Sequence, residues 1–177
     1  MDDLKPAVFL DRDGVINYDT GHVGHYNEIQ YKEGCFDAVR ILNAKGFRVF
    51  IITNQAGIGK GIYTLEVFKD CMKKILIDFK KNKAHIDDIR YCPYHMNATL
   101  KEFIHHNHPW RKPNPGMIND LFLKWPTDKK NSFVVGDKSS DLEAAKNAGI
   151  NGYIINDNDS LYELVLKIPE FIGKSYE

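Results

Sequence analysis

Two aspartates follow a short apolar segment near the start of the chain. Residues 7–10 show no alternation of apolar and polar side chains, which is typical of a strand buried on both faces, and the segment ends at Asp11-Arg12-Asp13-Gly14. A glycine turn lets both carboxylates face one small volume, where their repulsion raises both pKa values unless a cation neutralises them. Mg2+ prefers such oxygen ligands. An isolated Asp-x-Asp-Gly sequence is equally typical of a solvated turn, so the rest of the chain has to decide.

Polar residues also end two other predicted strands. The segment Arg48–Thr53 is β-branched and runs into Asn54, and residues 132–136 run into Asp137. Because the carboxyl ends of parallel strands share one edge of a sheet, and ligands bind outside that edge, these side chains should line one site. Five polar residues from three segments are much less easily explained by chance than one Asp-x-Asp-Gly turn.

Strand and helix patterns alternate along the chain, which predicts an α/β fold. We expect a Rossmann-like parallel sheet with right-handed crossovers and helices on both faces. The predicted strands are 7–10, 48–53, 86–92, 132–137 and 152–155. The predicted helices are 36–44, 64–81 with Thr64 as N-cap, 114–123 with Asn114 as N-cap and Pro115 at the first position, 142–148 with Ser140 or Asp141 beginning it, and 160–166.

The composition limits the kinds of partner. The chain carries 24 Lys and Arg against 24 Asp and Glu, so its formal net charge is zero. Without a positive field, nucleic acid and anionic membranes are poor candidates for partners. No apolar stretch approaches the roughly 20 residues of a membrane span, and the first residues lack a signal-peptide core. We therefore expect a cytoplasmic protein.

Length and cysteine content indicate a simple organisation. The 177 residues suit one domain, 1–177, and we expect a monomer. The three cysteines, Cys35, Cys71 and Cys92, are odd in number and widely spaced, as expected for free thiols in a reducing compartment.

The polar groups at the strand ends have the chemistry of a phosphoryl receptor. The oxygens of a phosphoryl group need donors on several sides, and the Thr53-Asn54 pair, Arg111, Lys112 and Lys138 can supply them. One carboxylate beside them can attack phosphorus to form an aspartyl-phosphate, while another transfers protons to the leaving group and from water.

Four motifs carry a family resemblance: D-R-D-G at 11–14, T-N at 53–54, R-K-P at 111–113 and G-D-K at 136–138. Their order resembles that of the haloacid dehalogenase superfamily of phosphohydrolases. The longer stretches D-R-D-G-x-I-N, T-N-Q-x-G-I, C-P-x-H and R-K-P-x-P-G-M are similar to those of the D-glycero-D-manno-heptose 1,7-bisphosphate phosphatases, with histidinol-phosphate phosphatases as close relatives. The resemblance covers roughly residues 7–155.

The resemblance implies roles for four residues at the reacting centre. Asp11 would be the nucleophile and a Mg2+ ligand. Asp13 would be the general acid and base and would touch the metal through its backbone carbonyl. Asp137 would complete the metal site. Lys112 would neutralise charge on the transferring group and on Asp11.

The resemblance also implies which residues hold the substrate. Thr53 and Asn54 would bind the phosphoryl oxygens, and Lys138 would lie near the substrate. Arg111 would recognise the substrate, and its second, non-reacting phosphate is the candidate group. Residues Asp19 to His22 would belong to a substrate-facing flap. The alternative for each of these residues is an ordinary role as a solvated surface or loop side chain.

Neither interval between the motifs has room for a separate cap domain. Core elements occupy most of the chain from Asp13 to Thr53 and from Asn54 to Lys112. We therefore expect a capless fold with an open site, in which short loops select the substrate.

The loop after the third strand departs from the pattern of these relatives, which often bind a structural zinc there through a C-x-H pair and a later C-x-C. Cys92 is in place, but Tyr94 stands at the histidine position, and His108 and Trp110 stand at the later cysteine positions. Four histidines crowd into the loop: His95, His105, His106 and His108. Because zinc accepts imidazole and thiolate alike, a site from Cys92, His95 and two of the others remains open, but we favour a zinc-free loop.

These observations lead to one main hypothesis. We expect a Mg2+-dependent phosphatase that removes the 7-phosphate of a heptose 1,7-bisphosphate through an aspartyl-phosphate. The alternatives are a histidinol-phosphate phosphatase, a phosphatase of another small sugar phosphate, and a non-catalytic protein that binds phosphorylated ligands.

Overall fold

A computed structural model describes residues 4–173 of the chain. Its centre is a five-stranded parallel sheet with strand order β3-β2-β1-β4-β5. The strands are β1 (Lys5–Leu10), β2 (Arg48–Asn54), β3 (Asp88–Cys92), β4 (Thr127–Gly136) and β5 (Asn151–Ile154). The first strand therefore lies at the middle of the sheet, and its carboxyl end opens at the centre of one edge.

Seven helices connect or flank these strands within residues 4–173. They are α1 (Cys35–Ala44), α2 (Ala56–Gly59), α3 (Leu65–Lys81), α4 (Gly116–Lys124), α5 (Ser139–Ala148), α6 (Leu161–Val165) and α7 (Pro169–Ile172). Thr64 caps α3 as predicted, since its hydroxyl accepts the Val67 amide at 3.2 Å. Gly149 ends α5 in the left-handed conformation that favours glycine.

Helices cover both faces of the sheet, as the sequence predicted. Alternate residues of each central strand point to opposite faces, so Val8 and Leu10 pack into one apolar cluster while Ala7 and Phe9 pack into the other. The first cluster includes residues of α1, α3, α6 and α7, and the second includes residues of α4 and α5. Burial on both faces explains why these strands are continuous apolar runs.

Two predicted boundaries were wrong for tertiary reasons. Strand β4 begins at Thr127 rather than residue 132, because Thr127 and Asp128 pair with Lys5 and Pro6 before an irregularity in the register. Asn114 does not cap α4. Its side-chain amide donates to Asn107 Oδ1 at 2.6 Å and to the His108 carbonyl at 2.9 Å, and the N-cap position falls to Pro115.

The part of the chain from residue 4 to residue 173 contains no helix with the length and apolarity needed to span a membrane.

Candidate active site

Asp11 directly follows β1 at the centre of the sheet edge. Its backbone amide donates to the Val135 carbonyl at 3.0 Å, which extends the pairing between β1 and β4 beyond the end of the strand. The side chain is buried, and Oδ1 accepts hydrogen bonds from the Arg12 amide at 2.7 Å and from the Lys112 ammonium at 3.0 Å. The sheet and these two donors thus fix the carboxylate that we predict to be the nucleophile.

The Lys112 ammonium lies buried between two carboxylates. Besides Asp11, it lies 2.6 Å from Asp141 Oδ1 and donates to the Ile52 carbonyl at 3.0 Å. Asn54 holds the Lys112 backbone from both sides, because Oδ1 accepts the Lys112 amide and Nδ2 donates to its carbonyl, each at 3.1 Å. The predicted contact of Asn54 with phosphoryl oxygens stays a prediction, since its amide is used here to place Lys112.

Three acidic side chains converge beside this lysine. Asp11, Asp137 and Asp141 each offer a carboxylate oxygen, and these oxygens all lie within 4.8 Å of one another. Asp137 Oδ1 is buried and has no hydrogen-bond partner within residues 4–173. A group of anionic oxygens with one buried, unpaired member fits a hard divalent cation such as Mg2+, and these three side chains would hold it.

Two glycines give the acids room to approach. A Cβ at Gly14 would lie 2.3 Å from Asp137 Oδ2, and Gly14 also has a positive φ of 84°. A Cβ at Gly136 would lie 2.2 Å from the Asp141 Cβ. Both distances are impossible for real side chains, so the glycines of the D-R-D-G and G-D-K motifs are needed for the packing of the acidic group.

The raised pKa values of two of these acids also indicate that a cation would stabilise the site. The pKa of Asp11 is raised to about 7, chiefly by burial, which Lys112 opposes and to which the charges of Asp141 and Asp13 add. Burial likewise raises the pKa of Asp137, against the opposing charge of Lys138. The single positive charge of Lys112 does not balance the negative charges of the surrounding aspartates. A bound cation would add positive charge and so keep the carboxylate of Asp11 ionised.

The sequence analysis missed Asp141. It lies at the third position of α5, is fully buried, and its Oδ2 accepts the Lys138 amide at 3.1 Å. An aspartate in a first helical turn is ordinarily a capping residue, which is how the pattern was interpreted. The available signal was its position one helical turn after Asp137, which directs a second carboxylate to the same end of β4.

The side chain of Asp13 is not part of this acidic group. Its oxygens accept hydrogen bonds from Arg12, Asn17 and Gln55, all between 2.7 and 3.0 Å. The predicted metal contact of Asp13 is through its backbone carbonyl, and it stays a prediction. Thr53 is buried just before Asn54 at the end of β2, where its hydroxyl oxygen accepts the Gln55 side-chain amide at 2.8 Å.

The predicted flap contacts the site through Asp19. Asp19 Oδ2 lies 2.9 Å from the Lys138 ammonium, so the flap is tied to the G-D-K motif by an exposed ion pair. Burial would raise the pKa of Asp19, but hydrogen bonds from Lys138 and the Gly21 amide lower it. His22 has a positive φ of 49°, uncommon for a residue with a side chain, and its Nε2 lies 3.4 Å from the Lys60 ammonium.

A cluster of basic residues, which we call the basic rim, lies where the flap meets the loop after β3. Its members are His22, Lys60, His95 and Arg111. Burial lowers the pKa of His95, as do the charges of Arg111, Lys60 and His22. Arg111 is half-buried, and its guanidinium donates to the Tyr94 carbonyl at 3.1 Å. Within residues 4–173, none of the four forms an ion pair with a carboxylate, so the charges of Lys60 and Arg111 can act on a ligand.

The histidine-rich loop does not gather the residues considered for zinc into one group. Cys92 Sγ lies 3.8 Å from His108 Nδ1, but that nitrogen also accepts the Trp110 amide at 3.1 Å. Tyr94 stacks on the His108 ring with centroids 4.0 Å apart. Within residues 4–173, the acids described above are the only group of three or more potential metal ligands, and His95, His105 and His106 are not part of one. Zinc content remains open to measurement.

Comparison with known proteins agrees with this geometry. Residues 109–167 match the family described as "HAD-hyrolase-like". A protein of Rhodopseudomonas palustris named D-glycero-beta-D-manno-heptose-1,7-bisphosphate 7-phosphatase is 45% identical over 88% of this chain and 86% of its own. The chain belongs to the haloacid dehalogenase family of phosphatases. A protein of Vibrio cholerae with the same name is 38% identical over 85% of this chain and 81% of its own.

A solved structure supports the same assignment. The D,D-heptose 1,7-bisphosphate phosphatase of B. bronchiseptica, complexed with magnesium and phosphate, is 26% identical and superimposes with a TM-score of 0.76. The match covers 89% of this chain and 86% of that chain. The family predicted from the four motifs is thereby confirmed, as is the α/β fold.

Proposed function

We propose that this protein is a Mg2+-dependent phosphatase that hydrolyses the 7-phosphate of D-glycero-D-manno-heptose 1,7-bisphosphate through an aspartyl-phosphate on Asp11. The observation that carries the proposal is the buried Lys112 ammonium, 3.0 Å from Asp11 and 2.6 Å from Asp141, beside an acidic group that fits a divalent cation. The names of the relatives support the choice of sugar.

The proposed reaction has two steps. A carboxylate oxygen of Asp11 attacks phosphorus, the bond from phosphorus to the sugar oxygen breaks, and that oxygen takes its electron pair and a proton from Asp13. Asp13 then removes a proton from water, which attacks the aspartyl-phosphate and releases inorganic phosphate. Lys112 and the Thr53 hydroxyl stabilise the negative charge on the phosphoryl oxygens during both steps.

Mg2+ bound by Asp11, Asp137 and Asp141 would supply positive charge next to the transferring phosphoryl group.

The basic rim favours a bisphosphate over histidinol phosphate. A sugar bisphosphate keeps a second dianionic phosphate after its first one has entered the site. Histidinol phosphate instead carries a cationic amine beside its phosphate-bearing carbon, an imidazole at its far end and no second phosphate. The Lys60 ammonium and the Arg111 guanidinium, which form no ion pair with a carboxylate within residues 4–173, attract the former and repel the latter. Arg111 and His22, both predicted to bind substrate, belong to this cluster.

A phosphate-release screen tests the proposal. Purified protein is assayed with heptose 1,7-bisphosphate, heptose 7-phosphate, fructose 1,6-bisphosphate and histidinol phosphate, each with Mg2+ and with chelator. We expect the highest kcat/KM for the heptose bisphosphate, no turnover with chelator, and retention of the 1-phosphate signal by 31P NMR. Asp11→Asn protein purified in parallel controls for contaminating phosphatases. Turnover of histidinol phosphate without release from any bisphosphate would overturn the proposal.

A non-catalytic role is disfavoured because residues capable of the chemistry occupy every predicted catalytic position: Asp11, Asp13, Thr53 and Lys112. The monomeric state, the cytoplasmic location and the absence of nucleic acid and membrane partners stay predictions.

A further inference from the structure

Gln55 links two residues of the proposed reaction that lie on different segments. Its side-chain nitrogen donates to Asp13 Oδ2 at 2.9 Å and to the Thr53 hydroxyl oxygen at 2.8 Å. An amide NH2 group has two hydrogens, so both are used in these bonds. Gln55 itself is 2% exposed, which shields the bonds from water. The general acid and the phosphoryl-binding hydroxyl are thus held by one side chain.

Tyr63 determines the orientation of that amide. Its hydroxyl donates to Gln55 Oε1 at 2.6 Å in a buried environment. In the opposite orientation, Oε1 would face the Asp13 carboxylate, which would place two acceptors together without a hydrogen between them. The Tyr63 hydroxyl and the Asp13 carboxylate therefore select the same orientation of Gln55.

The Tyr63 ring packs closely against two glycines. A Cβ at Gly24 would lie 2.2 Å from the ring, and a Cβ at Gly57 would lie 2.4 Å from it. Gly24 belongs to the loop after β1 and Gly57 to α2. The ring can therefore reach Gln55 only because both neighbouring segments lack side chains at these positions.

Arg12 fixes the other side of the Asp13 carboxylate. It is fully buried, its Nε and Nη2 donate to Oδ1 at 3.0 and 2.7 Å, and its Nη2 also donates to the Val23 carbonyl. Asn17 adds a donor to Oδ1 at 3.0 Å. Arg12 Nη2 also donates to Oδ2 at 2.9 Å, so Gln55 shares that oxygen with Arg12 and supplies its donor from the side of Thr53.

The bond from Gln55 also directs the Thr53 hydroxyl. Because the Thr53 oxygen accepts the amide hydrogen, its own hydrogen is available to point elsewhere. In a substrate complex that hydrogen can be donated to a phosphoryl oxygen, so a single amide orients both the phosphoryl donor and the proton donor.

We propose that Gln55, oriented by Tyr63, is a positioning residue that places the Asp13 carboxyl group for proton transfer to the leaving sugar oxygen. This inference rests on the proposed function. Without the amide, Asp13 Oδ2 keeps only its bond from Arg12, and the carboxyl group can shift toward Arg12 and away from the bond that breaks. The loss should fall on the step that needs a proton.

A comparison of leaving groups tests the inference. A sugar alkoxide must be protonated as it leaves, whereas p-nitrophenolate leaves as a stable anion and needs no general acid. We therefore measure kcat/KM, which reports the step up to release of the leaving group, on the best sugar phosphate of the screen and on p-nitrophenyl phosphate. The proteins are wild type, Tyr63→Phe and Gln55→Leu, with Mg2+ in excess.

We expect kcat/KM on the sugar phosphate to fall about tenfold for Tyr63→Phe and about a hundredfold for Gln55→Leu, within the range of general acid catalysis. On p-nitrophenyl phosphate each variant should lose several times less. Tyr153→Phe is the matched control, because its hydroxyl also makes a 2.6 Å hydrogen bond, to Glu170, but lies on the edge strand β5. It should leave both rates unchanged.

Equal losses on both substrates, or no loss, would overturn the inference, because a merely structural role does not depend on the leaving group. If Gln55→Leu does not fold, Tyr63→Phe, which removes a single oxygen, decides. If the wild type releases phosphate from no sugar phosphate, the proposed function fails instead. A crystal structure of Tyr63→Phe in which the Gln55 amide and the Asp13 carboxylate keep their places would also contradict the inference.

Discussion

Asp141 Oδ1 lies 2.6 Å from the Lys112 ammonium, and both side chains are buried. Lys112 therefore forms ion pairs with two carboxylates, since its ammonium also lies 3.0 Å from Asp11 Oδ1. Removing one partner of a buried ion pair leaves the other charge partly uncompensated, which is costly. The position of the lysine over the reacting group thus depends on a residue that does not itself attack phosphorus.

Asp141→Asn should lower kcat/KM about a hundredfold, because the amide neither neutralises Lys112 nor offers an anionic oxygen to the metal. Titration of activity with Mg2+ should show a shift to higher metal concentration. Glu143→Gln serves as the control, since Glu143 lies on the same helix but is exposed. A normal rate and an unchanged Mg2+ titration for Asp141→Asn would remove the residue from the metal site.

Asp11→Asn should abolish turnover without weakening the fold. Burial raises the pKa of Asp11 to about 7, so its ionised form is unfavourable in the folded protein when no metal is bound. A neutral residue of the same shape avoids this cost, and Asp141 still compensates the charge of Lys112, so the metal-free variant should melt at the same temperature as wild type or higher. Calorimetry in the presence of chelator measures the melting temperature, and a phosphate-release assay with Mg2+ measures turnover. Measurable turnover by the variant would exclude Asp11 as the nucleophile.

The sequence predicted the parts of the molecule that depend on burial. Segments of β1, β2 and β4 are apolar runs because both faces of each strand are covered, and such runs need no knowledge of partners. The order of the strands then brings Asp11 and Asp137 together, because parallel strands end at the same edge. The central acids of the site follow from these two facts.

The parts that could not be predicted depend on competition between side chains. An aspartate that caps a helix and one that enters a site have the same sequence signature, so Asp141 was read only as a cap. The direction of Asp13 depends on Arg12, which lies beside it in sequence but reaches the carboxylate only through the local turn. Asn114 precedes a proline, as a helix N-cap often does, but its side-chain amide donates to the His108 carbonyl instead of capping α4.

Lys60→Met should raise KM for heptose 1,7-bisphosphate about tenfold, equal to about 1.4 kcal/mol, since it removes one charge from the basic rim. The KM for heptose 7-phosphate should change little, because that substrate lacks the second phosphate. Lys60→Arg should retain most of the affinity, and Lys69→Met, at an exposed position on α3, is the control. Equal changes in KM for both substrates would show that Lys60 does not recognise the second phosphate.

The loop after β3 should be ordered without zinc. Tyr94 stands where the family resemblance would place a zinc-binding histidine, and its ring stacks on His108 with an interplanar angle of 5°. We expect elemental analysis of untagged protein to find less than about one zinc per ten chains, because a structural site would need four ligands. A chelator should leave the melting temperature unchanged. One zinc per chain, with unfolding on its removal, would contradict this prediction.

Asp88→Asn should destabilise the protein at neutral pH but not in strong acid. Burial alone would raise the pKa of Asp88, but hydrogen bonds from Lys124, Trp125 and the Ile89 amide, with the charge of Arg90, lower it to about 2. An acid whose pKa is lower in the folded state contributes stability above its unfolded pKa of 3.8 and loses it as the pH falls toward about 2. The free energy of unfolding, measured with urea on the metal-free proteins, should therefore be lower for Asp88→Asn than for wild type above pH 4. The two values should converge between pH 4 and 2. Asp70→Asn, which removes an exposed ion pair with Lys74, should track wild type throughout. A difference between Asp88→Asn and wild type that stays constant over the same range would show that the charge of Asp88 is not what stabilises this end of β3.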